Sequence, residues 1–176
     1  MTLHPTRVHG AFLLELKTFA DDRGSFTEVY QLQKLAAAGW TGTFVRSAIS
    51  HNHVRGTLRG LHLQRPPHAE AKLVVCIRGA IYDVMADVRP DSPTFGKWDA
   101  YELTPDNGRA LFLPEGVAHG YQALCDESTV HYHLSNYYAP EAADGIRWDD
   151  PTLAIQWPLP PSRLSEQDKR WGFLKR

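Results

Sequence analysis

His62 is the side chain of this sequence best suited to take a proton. It lies in Arg59-Gly60-Leu61-His62-Leu63-Gln64, among small and apolar neighbours. An imidazole, with an unperturbed pKa of about 6.5, accepts a proton at neutral pH. Strand alternation puts Gly60, His62 and Gln64 on one face and Leu61 and Leu63 on the other. A polar face on a strand that otherwise reads as buried points to a wet or ligand-filled interior. Taken alone, the residue is better explained as a structural histidine satisfied by a neighbour. The other reactive groups also have ordinary explanations. Lys72 fits a solvated strand end, and Tyr132 shares a face with Val130 and Leu134 like a core tyrosine. His119 fits a hydrogen-bonded core histidine. Ser165-x-x-Asp168 resembles a capping box, which would make the aspartate structural.

Strands must position these groups. Residues 72–77 are rich in β-branched side chains, Arg78-Gly79-Ala80 forms a turn, and residues 81–88 alternate. Residues 110–113 and 128–134 read likewise. Pro90, Pro93, Gly96, Pro105 and Gly108 punctuate the gaps. Many short strands with such turns predict a sandwich, jelly roll or barrel. Helices are few. Residues 30–38 carry Leu32, Leu35 and Ala36 at helical spacing and stop at Gly39. Ser165-Glu166-Gln167-Asp168 reads as the first turn of a short helix. Beyond Tyr138 the chain is rich in Pro and Trp and is expected to form an ordered strap, because exposed tryptophan is costly.

A chain of 176 residues suits one domain, here taken as 1–176. The net charge of −1 favours neither nucleic acid nor an anionic membrane, so local Arg and Lys must hold any anionic ligand. The N-terminus lacks a signal-peptide pattern, and no apolar run is long enough to span a bilayer. The two cysteines, Cys76 and Cys125, make neither a disulfide framework nor a thiolate zinc site. Both are expected to be buried, inert thiols in a cytoplasmic protein.

Gly108, Pro114-Glu115-Gly116 and His119 resemble the second motif of the cupin superfamily, a strand ending in a tight turn with a histidine opening the next strand. The resemblance predicts an all-β, cupin-type jelly-roll barrel with a few short helices and a C-terminal strap. Metal cupins supply His-x-His, a glutamate and the second-motif histidine. Here the first position reads His62-Leu63-Gln64, and Glu70 is followed closely by the cationic Lys72. No metal is expected.

Ordered matches run nearly end to end. They include Asp22-Arg23-Gly24-Ser25-Phe26-Thr27-Glu28, Gly56-Thr57-Leu58-Arg59-Gly60-Leu61-His62-Leu63-Gln64 and Glu70-Ala71-Lys72-Leu73-Val74. Pro114-Glu115-Gly116-Val117-Ala118-His119-Gly120, Tyr137-Tyr138-Ala139-Pro140-Glu141, Gly145-Ile146-Arg147-Trp148-Asp149-Asp150-Pro151 and Leu164-Ser165-Glu166-Gln167-Asp168 continue them. The chain resembles the nucleotide-sugar 3,5-epimerases, whose type member acts on dTDP-4-dehydro-6-deoxyglucose. The resemblance implies His62 as general base oriented by Asp168, Tyr132 as acid on the opposite face, and Lys72 as stabiliser of an enolate. It implies Arg59 at the diphosphate, and Arg23, Phe26 and Glu28 reaching the nucleotide from the partner subunit of a homodimer. Gln64, His119 and Tyr138 join the substrate-binding set. No cofactor is implied.

Four departures bear on the sugar and the base. Arg46 and Ala48 stand where a Gln-x-Asn pair is frequent, Leu63 replaces a frequent aromatic, and His133 follows Tyr132 where lysine is common. Relatives of this group epimerise C3, C5 or both. The alternatives are a non-catalytic or metal-dependent sugar-binding cupin. Pure binding has no use for an acid facing a base, and elemental analysis separates a metal enzyme.

Overall fold

The computed structural model describes residues 1–175. Its strands are β1 (Thr2–Pro5), β2 (Phe12–Glu15), β3 (Thr18–Asp21), β4 (Gly24–Thr27), β5 (Arg46–Asn52), β6 (Leu58–Gln64), β7 (Lys72–Arg78), β8 (Ile81–Asp87), β9 (Trp98–Leu103), β10 (Arg109–Leu113), β11 (Val117–Ala123), β12 (Ser128–Leu134) and β13 (Ala143–Gly145). One α-helix, α1 (Leu32–Ala37), interrupts them. A six-stranded sheet has the order β1-β2-β10-β7-β12-β5, and a five-stranded sheet has the order β13-β6-β11-β8-β9. The chain crosses repeatedly between these antiparallel sheets, and β3 and β4 project as a separate hairpin. The architecture is nearly all β and of cupin type. Its ladders form two main antiparallel sheets that face each other across the core.

The inner faces of both sheets build the main core. Val74, Cys76, Leu111, Leu113 and Val130 from the larger sheet meet Ile81, Met85, Leu103, Val117 and Tyr121 from the smaller. Strand β7 is apolar almost throughout because it is buried on both sides. Its Leu73 and Val75 point outward into a second cluster with Leu35 of α1, Trp40 and Phe44. A strand covered on both faces has no reason to alternate.

The Trp- and Pro-rich segment beyond Tyr138 covers the outer face of the smaller sheet. Ile146, Leu153, Ile155 and Trp157 pack on Leu61, Val84, Ala86 and Ala118. Trp157 Nε1 donates to the Trp148 carbonyl at 2.9 Å, so the indole is buried without losing its polar partner. Helix α1 is shorter than the periodicity suggested and ends before Gly39, whose φ of 98° no helix accommodates. Residues 166–170 form turns and no helix. Cys76 is buried, and burial pushes its thiol up to about 11. Cys125 is only half-buried, contrary to expectation, because it sits on the turn before β12.

Gly60 is required where β6 crosses β11. Its φ is 123°, and a Cβ there would lie 2.5 Å from Gly120 Cα and 2.8 Å from the His119 carbonyl oxygen. Those atoms are backbone and cannot rotate away. Gly60→Ala is expected to lower stability by at least about 1–3 kcal/mol. Urea unfolding with an unchanged midpoint would refute this account of the crossing.

Candidate active site

The two sheets leave a cavity of about 320 Å³ between them. Strand β6 of the smaller sheet supplies Arg59, His62 and Gln64, and β11 supplies His119, opposite His62 in register. The larger sheet supplies Lys72 from β7 and Tyr132 from β12, and Tyr138 lines the cavity beyond β12. His62 and Tyr132 therefore approach one space from opposing walls.

Asp168 stands behind His62. Its Oδ1 lies 2.6 Å from His62 Nε2 and accepts from Trp171 Nε1 at 3.2 Å. Its Oδ2 accepts from the Gly60 N–H at 3.3 Å. Only half of the expected capping box forms. The Asp168 N–H donates to Ser165 Oγ at 3.0 Å, and the carboxylate is left for the imidazole. Burial alone would raise the Asp168 pKa. Hydrogen bonds from His62, Gly60 and Trp171, with the charge of the imidazole, outweigh burial and hold the carboxyl below its usual value.

Lys72 is almost fully enclosed. Its Nζ donates to the His62 carbonyl at 3.1 Å and lies 3.8 Å from Glu70 Oε1. Burial lowers its pKa and the Arg46 charge adds to this, while Glu70 and Asp83 act in the other direction. Burial pushes the Tyr132 phenol well above its ordinary value, with Tyr121 and Asp83 adding to the effect. It is a neutral hydroxyl at physiological pH. The Tyr132 ring meets His119 edge-on at 6.0 Å between centroids.

His119 Nε2 lies 2.5 Å from Asp83 Oδ1, and both are buried. Asp83 Oδ2 has no hydrogen-bond partner among the described residues. Asp83 was not anticipated, although it stands at a buried position between the core residues Ile81 and Met85. Trp171 also lines the cavity and was missed because tryptophan in the strap reads as packing. Gln64 is tied to backbone. Its Nε2 donates to the carbonyls of His68 and Tyr137, and its Oε1 accepts from the Ala139 N–H. It anchors the segment that carries Tyr138.

Arg59 is exposed. Its Nε donates to Asn52 Oδ1 at 2.8 Å, and no carboxylate pairs with it among the described residues. Arg23, Phe26 and Glu28 do not line this cavity. Arg23 pairs with Asp21 at the end of the hairpin, Phe26 is exposed there, and Glu28 accepts from Gln31. The atoms that a metal cupin would use are engaged by protein groups: His62 with Asp168, His119 with Asp83, and Glu70 with Arg46 at 2.7 Å.

Fold and site together define a cupin-type protein with a pocket lined by His62, Lys72, His119 and Tyr132. The sequence profile of the family described as dTDP-4-dehydrorhamnose 3,5-epimerase matches residues 5–176. The chain belongs to that family. It is 42% identical over 173 residues to the dTDP-4-dehydrorhamnose 3,5-epimerase of Methanothermobacter thermautotrophicus, covering 97% of this chain and 92% of the relative. A crystal structure of the Bacillus anthracis dTDP-4-dehydrorhamnose 3,5-epimerase with TDP and PPi bound superimposes with a TM-score of 0.93. The two are 42% identical, and the match covers 98% of this chain and 99% of that one. A 4-keto-6-deoxy sugar epimerase of Streptomyces spheroides gives a TM-score of 0.93 at 37% identity, over 99% and 87% of the two chains. Among the described residues, no helix is long and apolar enough to cross a membrane.

The depressed Asp168 pKa makes folding pH-dependent. The stability it contributes is complete above the unfolded carboxyl value of about 3.9 and is lost as pH falls through the lower folded value. Asp168→Asn is expected to flatten the acid limb of a stability–pH profile. Parallel acid limbs for the two proteins, by urea unfolding, would show that the carboxylate is not held as described.

Proposed function

We propose that this protein is a cofactor-independent epimerase of a nucleotide-linked, dTDP-type 4-keto-6-deoxy sugar, acting in deoxysugar biosynthesis. The observation that carries the proposal is the placement of His62, backed by Asp168, and Tyr132 on opposing sheets around one cavity. Inversion at carbon needs a base on one face and an acid on the other.

The C4 ketone acidifies the hydrogens at C3 and C5. Asp168 accepts the Nε2–H of His62, which leaves Nδ1 with the lone pair that takes a proton. The C–H electron pair moves into the ring and the carbonyl π pair moves onto oxygen, giving an enolate. Lys72 is the cation for that oxygen, and its enclosure strengthens the attraction. Tyr132 then gives its phenolic proton to the opposite face of the same carbon. Phenolate and imidazolium return to their starting states through solvent, so protons balance over the cycle. His119, held by Asp83, supports the wall beside Tyr132.

Arg59, uncommitted to any carboxylate of the described chain, is assigned to the diphosphate, which its planar fork of donors suits. Arg23, Phe26 and Glu28 are assigned to the nucleotide site of a second copy in a homodimer. Their absence from the cavity of their own chain, and the exposure of Phe26, support this. The two free thiols fit a reducing cytoplasm.

The proton-transfer roles separate in deuterated water with dTDP-4-dehydro-6-deoxyglucose, followed by proton NMR. His62→Ala is expected to lose exchange at every epimerised carbon, at a cost of about a hundred- to ten-thousand-fold. Tyr132→Phe should keep exchange with retention while inversion falls sharply. Normal inversion in a stably folded His62→Ala protein would end the mechanism. The carbons that exchange in the unmodified protein show whether C3, C5 or both are epimerised.

The shared-site reading has its own test. Arg59→Ala and Arg23→Ala should each weaken dTDP binding by calorimetry. Mixed dimers of the two variants contain one site with both arginines and should recover tight binding there. Monomers by light scattering, or no recovery on mixing, would contradict the assignment.

A further inference from the structure

We propose that His51, His53 and Glu127 form a surface site for a zinc-class divalent cation, apart from the proton-transfer cavity. His51 is on the outward face of β5, and His53 follows two residues later. Glu127 immediately precedes β12, whose Thr129 pairs with His51 across the ladder. One ligand atom from each of the three lies within 4.8 Å of the others. Glu127 Oε2 is 2.6 Å from His51 Nε2, and its Oε1 is 3.2 Å from His53 Nδ1. The Glu127 N–H also donates to the His53 carbonyl at 3.3 Å, and its φ is 56°, uncommon for a residue with a side chain. The backbone thus holds one carboxylate against two imidazoles.

The surroundings resemble the support usual for a metal ligand. His51 Nδ1 lies 2.9 Å from the hydroxyl of Thr129, a buried residue. That contact fixes the ring and directs Nε2 to the cluster, as an outer-shell partner does for a ligating histidine. Two imidazoles and a carboxylate suit zinc and its transition-metal neighbours better than magnesium or calcium, which prefer oxygen throughout. A four-coordinate zinc with bonds of about 2.1 Å keeps its ligand atoms roughly 3.4 Å apart. The exposed His53 and the half-buried Glu127 need to shift only by side-chain rotation to reach that spacing, and water would complete the coordination. Asn52, between the two histidines, accepts from Arg59 Nε at 2.8 Å. An ion would therefore brace the strand end that supports Arg59.

The test is calorimetric titration of zinc chloride into the full chain after chelator treatment, with melting temperature read in parallel. One zinc per chain and a raised melting temperature are expected. His53→Ala and Glu127→Gln should lose this binding while keeping the native circular dichroism spectrum. Thr129→Val should bind at least about tenfold more weakly. His131→Ala, which removes a histidine outside the cluster, should bind as the unmodified chain does. No uptake by the unmodified chain, or undiminished uptake by His53→Ala and Glu127→Gln, would overturn the proposal.

Discussion

The hydrogen bond between Asp168 and His62 joins residues 106 positions apart, and the geometry of the cavity depends on it. An imidazole on a strand can turn about χ1 and χ2 and can present either nitrogen. A carboxylate fixed behind Nε2 removes that freedom. The strap that carries Asp168 to this position is held by Ile146, Leu153 and Ile155 on the outer face of the smaller sheet. Apolar burial at about 25 cal/mol per Å² thus does on one side of the sheet what orients a polar group on the other. Gly60 takes part at both levels. Its missing Cβ lets β6 meet β11, and its N–H donates to the same carboxylate.

The interior is strongly ionic for so small a domain. Asp83, Lys72, Glu70, His119 and Asp168 are all buried. Isolated charges in such a place would be prohibitive, and each here has a partner. Glu70 lies between Arg46 and Lys72, His119 faces Asp83, and Asp168 faces His62. The arrangement gives up stability that an apolar core would supply. In return it places ionisable groups of both signs around one cavity, where those that are buried interact more strongly than they would in water.

The strands and their inward faces were legible because alternation and β-branched runs report burial directly, as in β8. Strand β7 was legible as a strand but not as one covered on both sides, since nothing local announces that α1 and Trp40 will lie over Leu73 and Val75. The separate hairpin of β3 and β4 was readable only as a charged and aromatic segment. His62, Lys72 and Tyr132 were visible as residue types in strands, yet each alone looked ordinary. What unites them is contact between sheets, a long-range property that no local pattern contains. Asp168 illustrates the limit best. Its spacing from Ser165 suggested the first turn of a helix; turns form there without a helix, and its carboxylate bonds His62 instead of closing a capping box.

The same geometry sorts the departures from the family's usual residues. His133 alternates away from the cavity and packs its ring on Tyr30 and Phe44. Arg46 is spent on Glu70 and on the Asn136 carbonyl, so it acts on Lys72 through Glu70 and through its charge. Ala48 faces Tyr132 across the ladder from the edge strand, where a longer side chain would crowd or bond the phenol's strand. Leu63 alone of the four lines the cavity itself. A branched aliphatic there gives a contact of different shape from the flat face of an aromatic ring. The departures therefore fall on the cavity wall at Leu63 and on the charge around Lys72, and His62 and Tyr132 keep their places on the opposing sheets.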